Sequence, residues 1–165
     1  MKRSALAVAM LLAATAAGAQ GQVAATLASS AGNNVAGSVV FLQEGGKLFV
    51  VAEVTGLKPG PHGFHVHEKG DCSAPDFTSA GGHFNPDSQP HGDPAAAAHH
   101  AGDMPLLVAD ASGKASARAE VRSMTIGGGA SDIVGKAVVV HADVDDFKTQ
   151  PAGNSGARVA CGVIK

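Results

Sequence analysis

Short apolar runs, separated by glycine, proline and small polar residues, recur along most of the chain. Alternation and β-branched residues within these runs are typical of strands, and no run has the periodicity of a convincing helix. Residues 44–46 form a short glycine-containing connection of the kind that joins two strands in a hairpin. The pattern predicts eight strands, at residues 23–28, 35–42, 47–54, 63–67, 106–109, 114–121, 133–141 and 157–164.

Many short strands without a helix predict an all-β domain, arranged as an antiparallel sandwich or barrel. Two long segments, residues 68–104 and 143–156, interrupt the strand pattern. Long loops without regular structure are uncommon in compact domains and usually carry a function. We therefore expect these two loops to build the functional site.

The first 19 residues predict a signal peptide, followed by one domain over residues 20–165. Lys2 and Arg3 supply the charged start, residues 5–16 the apolar stretch and residues 17–19 a small-residue cleavage site. The alternative is a membrane anchor, but the apolar stretch is short for a spanning helix. We expect a mature protein that is exported to the periplasm or secreted and has no membrane association.

Composition and charge narrow the classes of partner. The formal net charge is −2, and removal of Lys2 and Arg3 with the signal peptide makes it −4, with no basic patch that would bind nucleic acid. In an oxidising compartment, Cys72 and Cys161 are expected to form a disulfide, the only pairing that two cysteines allow. The alternative is that one of them binds copper, as in blue-copper sites.

Seven of the eight histidines lie within residues 62–103, which indicates a metal site. His65 and His67 are two positions apart on a predicted strand, so both face the same side. Together with His141 at the end of an apolar run, they form a set of imidazoles that suits copper or zinc. The long loop adds a second set with the composition of a tetrahedral zinc site, namely His83, His91, His100 and Asp103.

These histidines stand in motifs that closely resemble those of copper/zinc superoxide dismutases, and the resemblance covers essentially the whole mature chain. The motifs are GFHVHE at 63–68, GHFNP at 82–86, VH at 140–141 and ARVACGVI at 157–164. The resemblance implies an eight-stranded Greek-key sandwich or barrel with one copper and one zinc ion per subunit. It also implies an enzyme that converts superoxide to molecular oxygen and hydrogen peroxide and so protects the cell envelope.

The resemblance further implies a role for individual residues. His83 would bridge the two metals and deliver protons, Arg158 would attract superoxide beside copper, and Asp145 would link ligands of both metals. The disulfide would hold the long loop to the strand that carries Arg158. His62 and His99 match no ligand position. The implied copper ligands are His65, His67, His83 and His141, and the implied zinc ligands are His83, His91, His100 and Asp103.

Cys72, only five residues after His67, and Pro105 point to the bacterial periplasmic branch of the family. The residues that steer superoxide have no clear counterpart here, and Lys69 and Lys148 are the candidates. Two other functions remain open at this point: a copper carrier or buffer on the same fold, and a structural or adhesive protein held together by its metals. The oligomeric state, monomer or homodimer, is also open.

Overall fold

The computed structural model describes residues 21–165, and the predicted signal peptide at 1–19 lies outside them. No helix between residues 21 and 165 has the length and apolar character of a membrane span. The regular structure of this part consists of short strands and one 3-10 turn, Thr78–Ala80. The strands are β1 (Gln22–Ser29), β2 (Ala36–Glu44), β3 (Lys47–Thr55), β4 (Gly60–His62), β5 (Phe64–His67), β6 (Leu107–Ala109), β7 (Ala115–Val121), β8 (Ala137–His141) and β9 (Arg158–Val163).

Seven of these strands form one antiparallel sheet in the order β5-β8-β9-β1-β2-β3-β7, and β4 pairs with β6 in a small second sheet. Neighbours such as β3 and β7, or β9 and β1, are distant in sequence, as in Greek-key connections. The prediction of an all-β antiparallel domain with two long loops is therefore confirmed.

The structure has nine strands where the sequence predicts eight. The additional strand, β4, contains Pro61, which lacks an N–H group and is typical of a break in the pattern. A short edge pair tolerates such a proline, and β4 pairs only with β6. At Gly63 the chain passes from this small sheet to β5, and the Gly63 carbonyl accepts a hydrogen bond of 2.9 Å from the His141 N–H.

Buried and more exposed residues alternate along β3, so one face of this strand packs on the core. Leu48, Val50, Ala52 and Val54 are buried, whereas Lys47, Glu53 and Thr55 are exposed. They pack with inward residues of β2, including Val39 and Phe41, neither of which has any exposed surface. Branched and aromatic side chains suit this half-buried surface.

The first four residues of β8 are all apolar, because both faces of this strand are buried. Val138 and Val140 face the main core, whereas Ala137 and Val139 pack against a smaller cluster that includes Phe77 and Cys161. A strand buried on both faces needs no polar alternation. The predicted strand at 133–141 begins only at Ala137, because residues 133–136 form a turn closed by a 3.1 Å bond from the Lys136 N–H to the Ile133 carbonyl.

Cys72 and Cys161 form the predicted disulfide, with Cα atoms 5.9 Å apart and 89 positions apart in sequence. Cys72 lies in the long loop and Cys161 in the centre of β9. The bond therefore fixes one end of the loop to the strand that begins at Arg158.

An irregularity in the pairing of β8 with β9 decides where Arg158 lies. Val140 pairs with Ala160, but His141 pairs with Arg158, so Val159 has no partner in register. Such a bulge shifts the direction of side chains at a strand end. It brings the backbone of Arg158 beside that of His141 while Val159 stays buried in the core.

We expect removal of the disulfide to destabilise the fold. In the Cys72→Ala/Cys161→Ala variant the unfolded chain regains the freedom of a loop of 89 positions. The free energy of unfolding should fall by about 2–5 kcal/mol. Urea denaturation of both proteins measures this, and a reductant should lower the midpoint of the wild type while leaving the variant unchanged. Equal midpoints for wild type and variant would contradict the prediction.

Candidate metal centre

The long loop covers the free edge of β5, and this contact assembles the site. The Val66 N–H donates to the Gly102 carbonyl at 2.9 Å, and the Phe84 N–H donates to the Val66 carbonyl at 2.8 Å. Isolated bridges place His83 opposite His67 and Asp103 opposite His65. The backbone groups along this edge, which no other strand pairs with, thus hold two distant parts of the loop in place.

The first cluster consists of His65, His67, His83 and His141, all buried. One nitrogen from each ring lies within 4.8 Å of the corresponding nitrogens of the other three. Nε2 of His67 lies 3.4 Å from Nε2 of His141. Nδ1 of His65 and Nε2 of His83 are buried without a hydrogen-bond partner among the described residues. Buried nitrogens without partners are unfavourable unless a metal binds them, so these residues fit a metal such as copper.

The second cluster consists of His83, His91, His100 and Asp103, also buried. Three Nδ1 atoms converge on Oδ1 of Asp103, at 2.8 Å from His83, 3.1 Å from His91 and 3.5 Å from His100. Three imidazoles and one carboxylate in this arrangement fit a tetrahedral zinc ion. His83 belongs to both clusters, because Nδ1 faces the second and Nε2 the first.

One carboxylate outside both clusters holds a ligand of each. Oδ2 of Asp145 lies 2.7 Å from Nε2 of His65, and its Oδ1 lies 2.9 Å from Nε2 of His91. The Phe147 N–H also donates to Oδ1, at 2.7 Å. Such a contact to the remote ring nitrogen orients the imidazole and leaves its other nitrogen free for a metal.

Gln150 is a further supporting residue, and the sequence contains no signal for it. Its amide NH2 donates to the His91 carbonyl at 2.9 Å, and its Oε1 accepts from the His91 N–H at 2.9 Å. This pair of bonds ties the second long loop, which also carries Asp145, to the first. His91 is therefore fixed through both its backbone and its ring.

Burial keeps the histidines of the first cluster neutral. It lowers the pKa of His83 to about 4 and the pKa of His141 to about 3, with nearby histidines adding to the effect. The pKa of His67 is lowered well below its ordinary value, again mainly by burial and then by His83. Neutral imidazoles are the form that binds metals, so the cluster is ready for a metal near neutral pH.

Asp103 stays ionised in this buried position. Burial alone would raise its pKa, but contacts with His100 and His83 lower it far below the ordinary value. Its Oδ2 also accepts hydrogen bonds from the N–H groups of His100, at 2.9 Å, and Gly92, at 3.1 Å. A carboxylate with several donors remains charged even when little water reaches it.

Arg158 lies beside the first cluster and is held by the long loop. Its Nη1 donates to the Phe77 carbonyl at 2.6 Å, and its Nη2 donates to the Gly81 carbonyl at 2.7 Å. The Gly81 carbonyl is also 3.0 Å from Nδ1 of His67. The guanidinium is half-buried, and it can retain a donor for an anion because these two bonds use only part of its five N–H groups.

His62 and His99 lie outside both clusters. The two ring nitrogens of His62 are each 2.8 Å from a backbone carbonyl oxygen, one of His141 and one of Lys58. Nδ1 of His99 is 2.6 Å from the His100 carbonyl oxygen. Each ring is thus engaged with the backbone, and His62 supports the strand end that carries His141.

Known proteins are similar to this chain along most of its length. The model of the copper/zinc superoxide dismutase family matches residues 35–164. The chain belongs to the copper/zinc superoxide dismutases. Superoxide is accordingly its substrate, copper and zinc are its metals, and the two clusters fit one ion of each.

Individual relatives support the same family. Superoxide dismutase [Cu-Zn] 2 of Brassica juncea is 45% identical over 151 residues, covering 87% of this chain and 97% of that protein. Superoxide dismutase [Cu-Zn] of the bacterium Caulobacter vibrioides is 43% identical over 136 residues, covering 79% and 78%. The solved structure of the clock protein EA4 is similar with a TM-score of 0.79 and 38% identity, covering 87% of this chain and 92% of that one.

Acid is expected to destabilise the metal-free dismutase. In the folded state the pKa is about 4 for His83 and about 3 for His141, against an ordinary value of 6.5. Between these values the unfolded state binds more protons, so the free energy of unfolding should fall as the pH drops from about 6.5 towards 3. Urea denaturation at several pH values measures the slope, and His141→Gln should make it shallower. A free energy of unfolding that does not change over this pH range would contradict the prediction.

A Cβ atom at Gly102 should disturb the zinc cluster. It would overlap the Val66 carbonyl oxygen and lie 3.1 Å from the Phe84 N, where the loop meets β5. We expect Gly102→Ala to weaken zinc binding by about 10- to 100-fold, as when a ligand loses its support. Gly82→Ala is the matched control, because no described atom lies within 4 Å of a Cβ there. Chelator competition measures both, and equal zinc affinities would refute the prediction.

Proposed function

We propose that this dismutase works by moving electrons through copper while His83 moves protons, in the overall reaction 2 O2⁻ + 2 H⁺ → O2 + H2O2. The observation that carries the proposal is the position of His83. Its Nδ1 is 2.8 Å from Asp103 in the second cluster, and its Nε2 is buried in the first without another partner among the described residues. A single ring is therefore available to both metals.

Each cluster is assigned a metal on the basis of its ligand types. The all-imidazole cluster suits copper, and the cluster with a carboxylate suits tetrahedral zinc. The proposed ligands are His65, His67, His83 and His141 for copper, and His83, His91, His100 and Asp103 for zinc. When bound, copper supplies one-electron oxidation and reduction of superoxide, and zinc supplies a fixed positive charge beside His83.

The residues of the chain bind the anion and handle the protons. Arg158 attracts superoxide to the first cluster with a guanidinium fixed by the Phe77 and Gly81 carbonyls. While the first superoxide is oxidised to oxygen, His83 takes up a proton at Nε2. It gives this proton to the second superoxide, which is reduced to hydrogen peroxide, while solvent supplies the other proton. Asp145 keeps His65 and His91 oriented throughout, since it contacts both rings.

We also propose that the mature enzyme, residues 20–165, acts in the periplasm and protects the cell envelope. Support comes from the signal-like residues 1–19, with Lys2 and Arg3 before an apolar stretch. A disulfide between Cys72 and Cys161 suits an oxidising compartment. The bacterial relative from Caulobacter vibrioides is consistent with this location.

Pulse radiolysis of superoxide tests the mechanism directly. The protein loaded with copper and zinc should remove superoxide rapidly, whereas a copper-free, zinc-loaded sample should not. Arg158→Ala should lower the rate constant by about tenfold or more, because it removes a unit charge close to the reacting anion. Arg158→Lys is the matched control, since it keeps the charge but lacks the planar fork that contacts two carbonyls, and it should lie in between.

The outcomes separate the proposed enzyme from the other functions. Slow decay, despite copper verified at His65, His67 and His141, would favour a copper carrier or buffer and would call for copper-transfer measurements. Slow decay with no exchange of copper would favour a structural protein. Fast decay that is indifferent to Arg158→Ala would retain the enzyme but remove this arginine from the path of superoxide.

A further inference from the structure

A surface cavity of about 520 Å³ lies against Arg158. Its wall is formed by the 3-10 turn region, the turn after β1 and the start of β9, and it includes Thr78, Asn33 and Gly156. The Gly156 carbonyl oxygen is 3.3 Å from Nδ1 of His141, so this wall borders the copper cluster. The charged residues of the wall are Arg158 and Asp76.

The carboxylate of Asp76 is held in place by Thr78. Its Oδ1 accepts hydrogen bonds from the Thr78 N–H at 3.1 Å and from the Thr78 hydroxyl at 2.8 Å. Phe77, between them, has a left-handed backbone with φ 59°, and its carbonyl accepts the bond from Arg158. The turn therefore sets the carboxylate and the guanidinium on the same cavity wall.

Asp76 is charged at neutral pH and is not neutralised by direct pairing. The hydrogen bonds from Thr78 lower its pKa, and Arg158 lowers it further. Among residues 21–165 it forms no ion pair within 4.0 Å, and the bonds of Arg158 shown in the structure go to carbonyl oxygens. An anion that approaches Arg158 therefore meets the field of an exposed carboxylate as well.

Coulomb energy is proportional to the charge of the incoming anion. A carboxylate beside the guanidinium therefore repels a divalent anion twice as strongly as a univalent one at the same place. Superoxide carries one negative charge, and inorganic phosphate carries two at mildly alkaline pH. The repulsion of superoxide by this carboxylate is thus modest, and the repulsion of a phosphate dianion at the same place is twice as large.

We propose that Asp76 is a specificity-determining residue that favours univalent over divalent anions at Arg158. It lowers the rate of superoxide capture somewhat, and in exchange it keeps phosphate-like dianions from occupying the anion site. This inference rests on the proposed function of Arg158. A purely structural role, in which Asp76 only caps the turn, predicts no such dependence on anion charge.

The test uses Asp76→Asn, which keeps the side-chain oxygen that accepts from Thr78 and removes only the charge. Asp71→Asn is the matched control. Asp71 is exposed, lies in the same loop, and accepts from the Ser73 N–H at 2.9 Å in a similar local turn, but it is not part of the cavity wall. Both variants change the net charge by the same amount.

Two readouts are compared at low ionic strength. The rate constant for superoxide decay should rise about two- to threefold in Asp76→Asn, as expected for one charge several ångströms away in water. Phosphate affinity, from 31P relaxation of inorganic phosphate with the copper-loaded protein at mildly alkaline pH, should rise by about the square of that factor, four- to ninefold. Both effects should disappear in about 1 M salt, where the screening length is about 3 Å.

The inference is overturned if Asp76→Asn and Asp71→Asn behave alike in both measurements. It is also overturned if phosphate affinity rises no more than the superoxide rate, because discrimination by charge would then be absent. A wild-type protein that does not remove superoxide would refute the proposed mechanism instead. The phosphate measurement requires no turnover, so it would still decide whether Asp76 controls dianion binding.

Discussion

Seven potential ligand side chains are buried together, and this concentration of polar groups is the constraint on which the rest of the structure depends. Buried imidazoles and carboxylates are costly unless each polar atom has a partner. The remote nitrogens of His65 and His91 contact Asp145, and the inward-facing nitrogens are left for metals. The fold has to hold these groups in place through its own hydrogen bonds. The seven are His65, His67, His83, His91, His100, His141 and Asp103.

The fold meets this constraint by adding irregular chain to a regular sheet. β5 supplies two histidines from a rigid strand, and its free edge binds the loop that supplies the others. The disulfide then ties the same loop to β9, two strands away from β5 in the sheet, so the loop is attached to the sheet at two places. Arg158 depends on both attachments, since its guanidinium is hydrogen-bonded to loop carbonyls while its backbone pairs with His141.

Much of this arrangement is predictable from sequence because it follows from short-range periodicity and residue chemistry. The alternation in residues 47–54 and the spacing of His65 and His67 express strand geometry directly. The cysteine pair leaves one disulfide, which the structure contains. The residue types in the long loop, together with the resemblance to the family motifs, indicate a second ligand set, and the structure brings that set together around Asp103.

Other features depend on long-range contacts that no local pattern encodes. Gln150 contacts His91 across the gap between two loops, and an isolated glutamine in a polar segment carries no sign of this. The bulge at His141 depends on the register of β8 with β9, because Val159 looks like any other strand residue. The sequence does not predict β4, because Pro61 interrupts the local strand pattern, although pairing at a sheet edge tolerates a proline.

His83 and Asp145 each contact both clusters, and this has a thermodynamic consequence for the binding of the two metal ions. Each contacts groups of both clusters, so filling one cluster orders a ring or a carboxylate that the other also uses. An ion bound in one cluster would then already fix groups that the second ion needs. By linkage, the coupling free energy is reciprocal: whatever zinc contributes to the affinity for copper, copper contributes equally to the affinity for zinc. Any coupling carried by these two shared residues therefore acts equally on both metals.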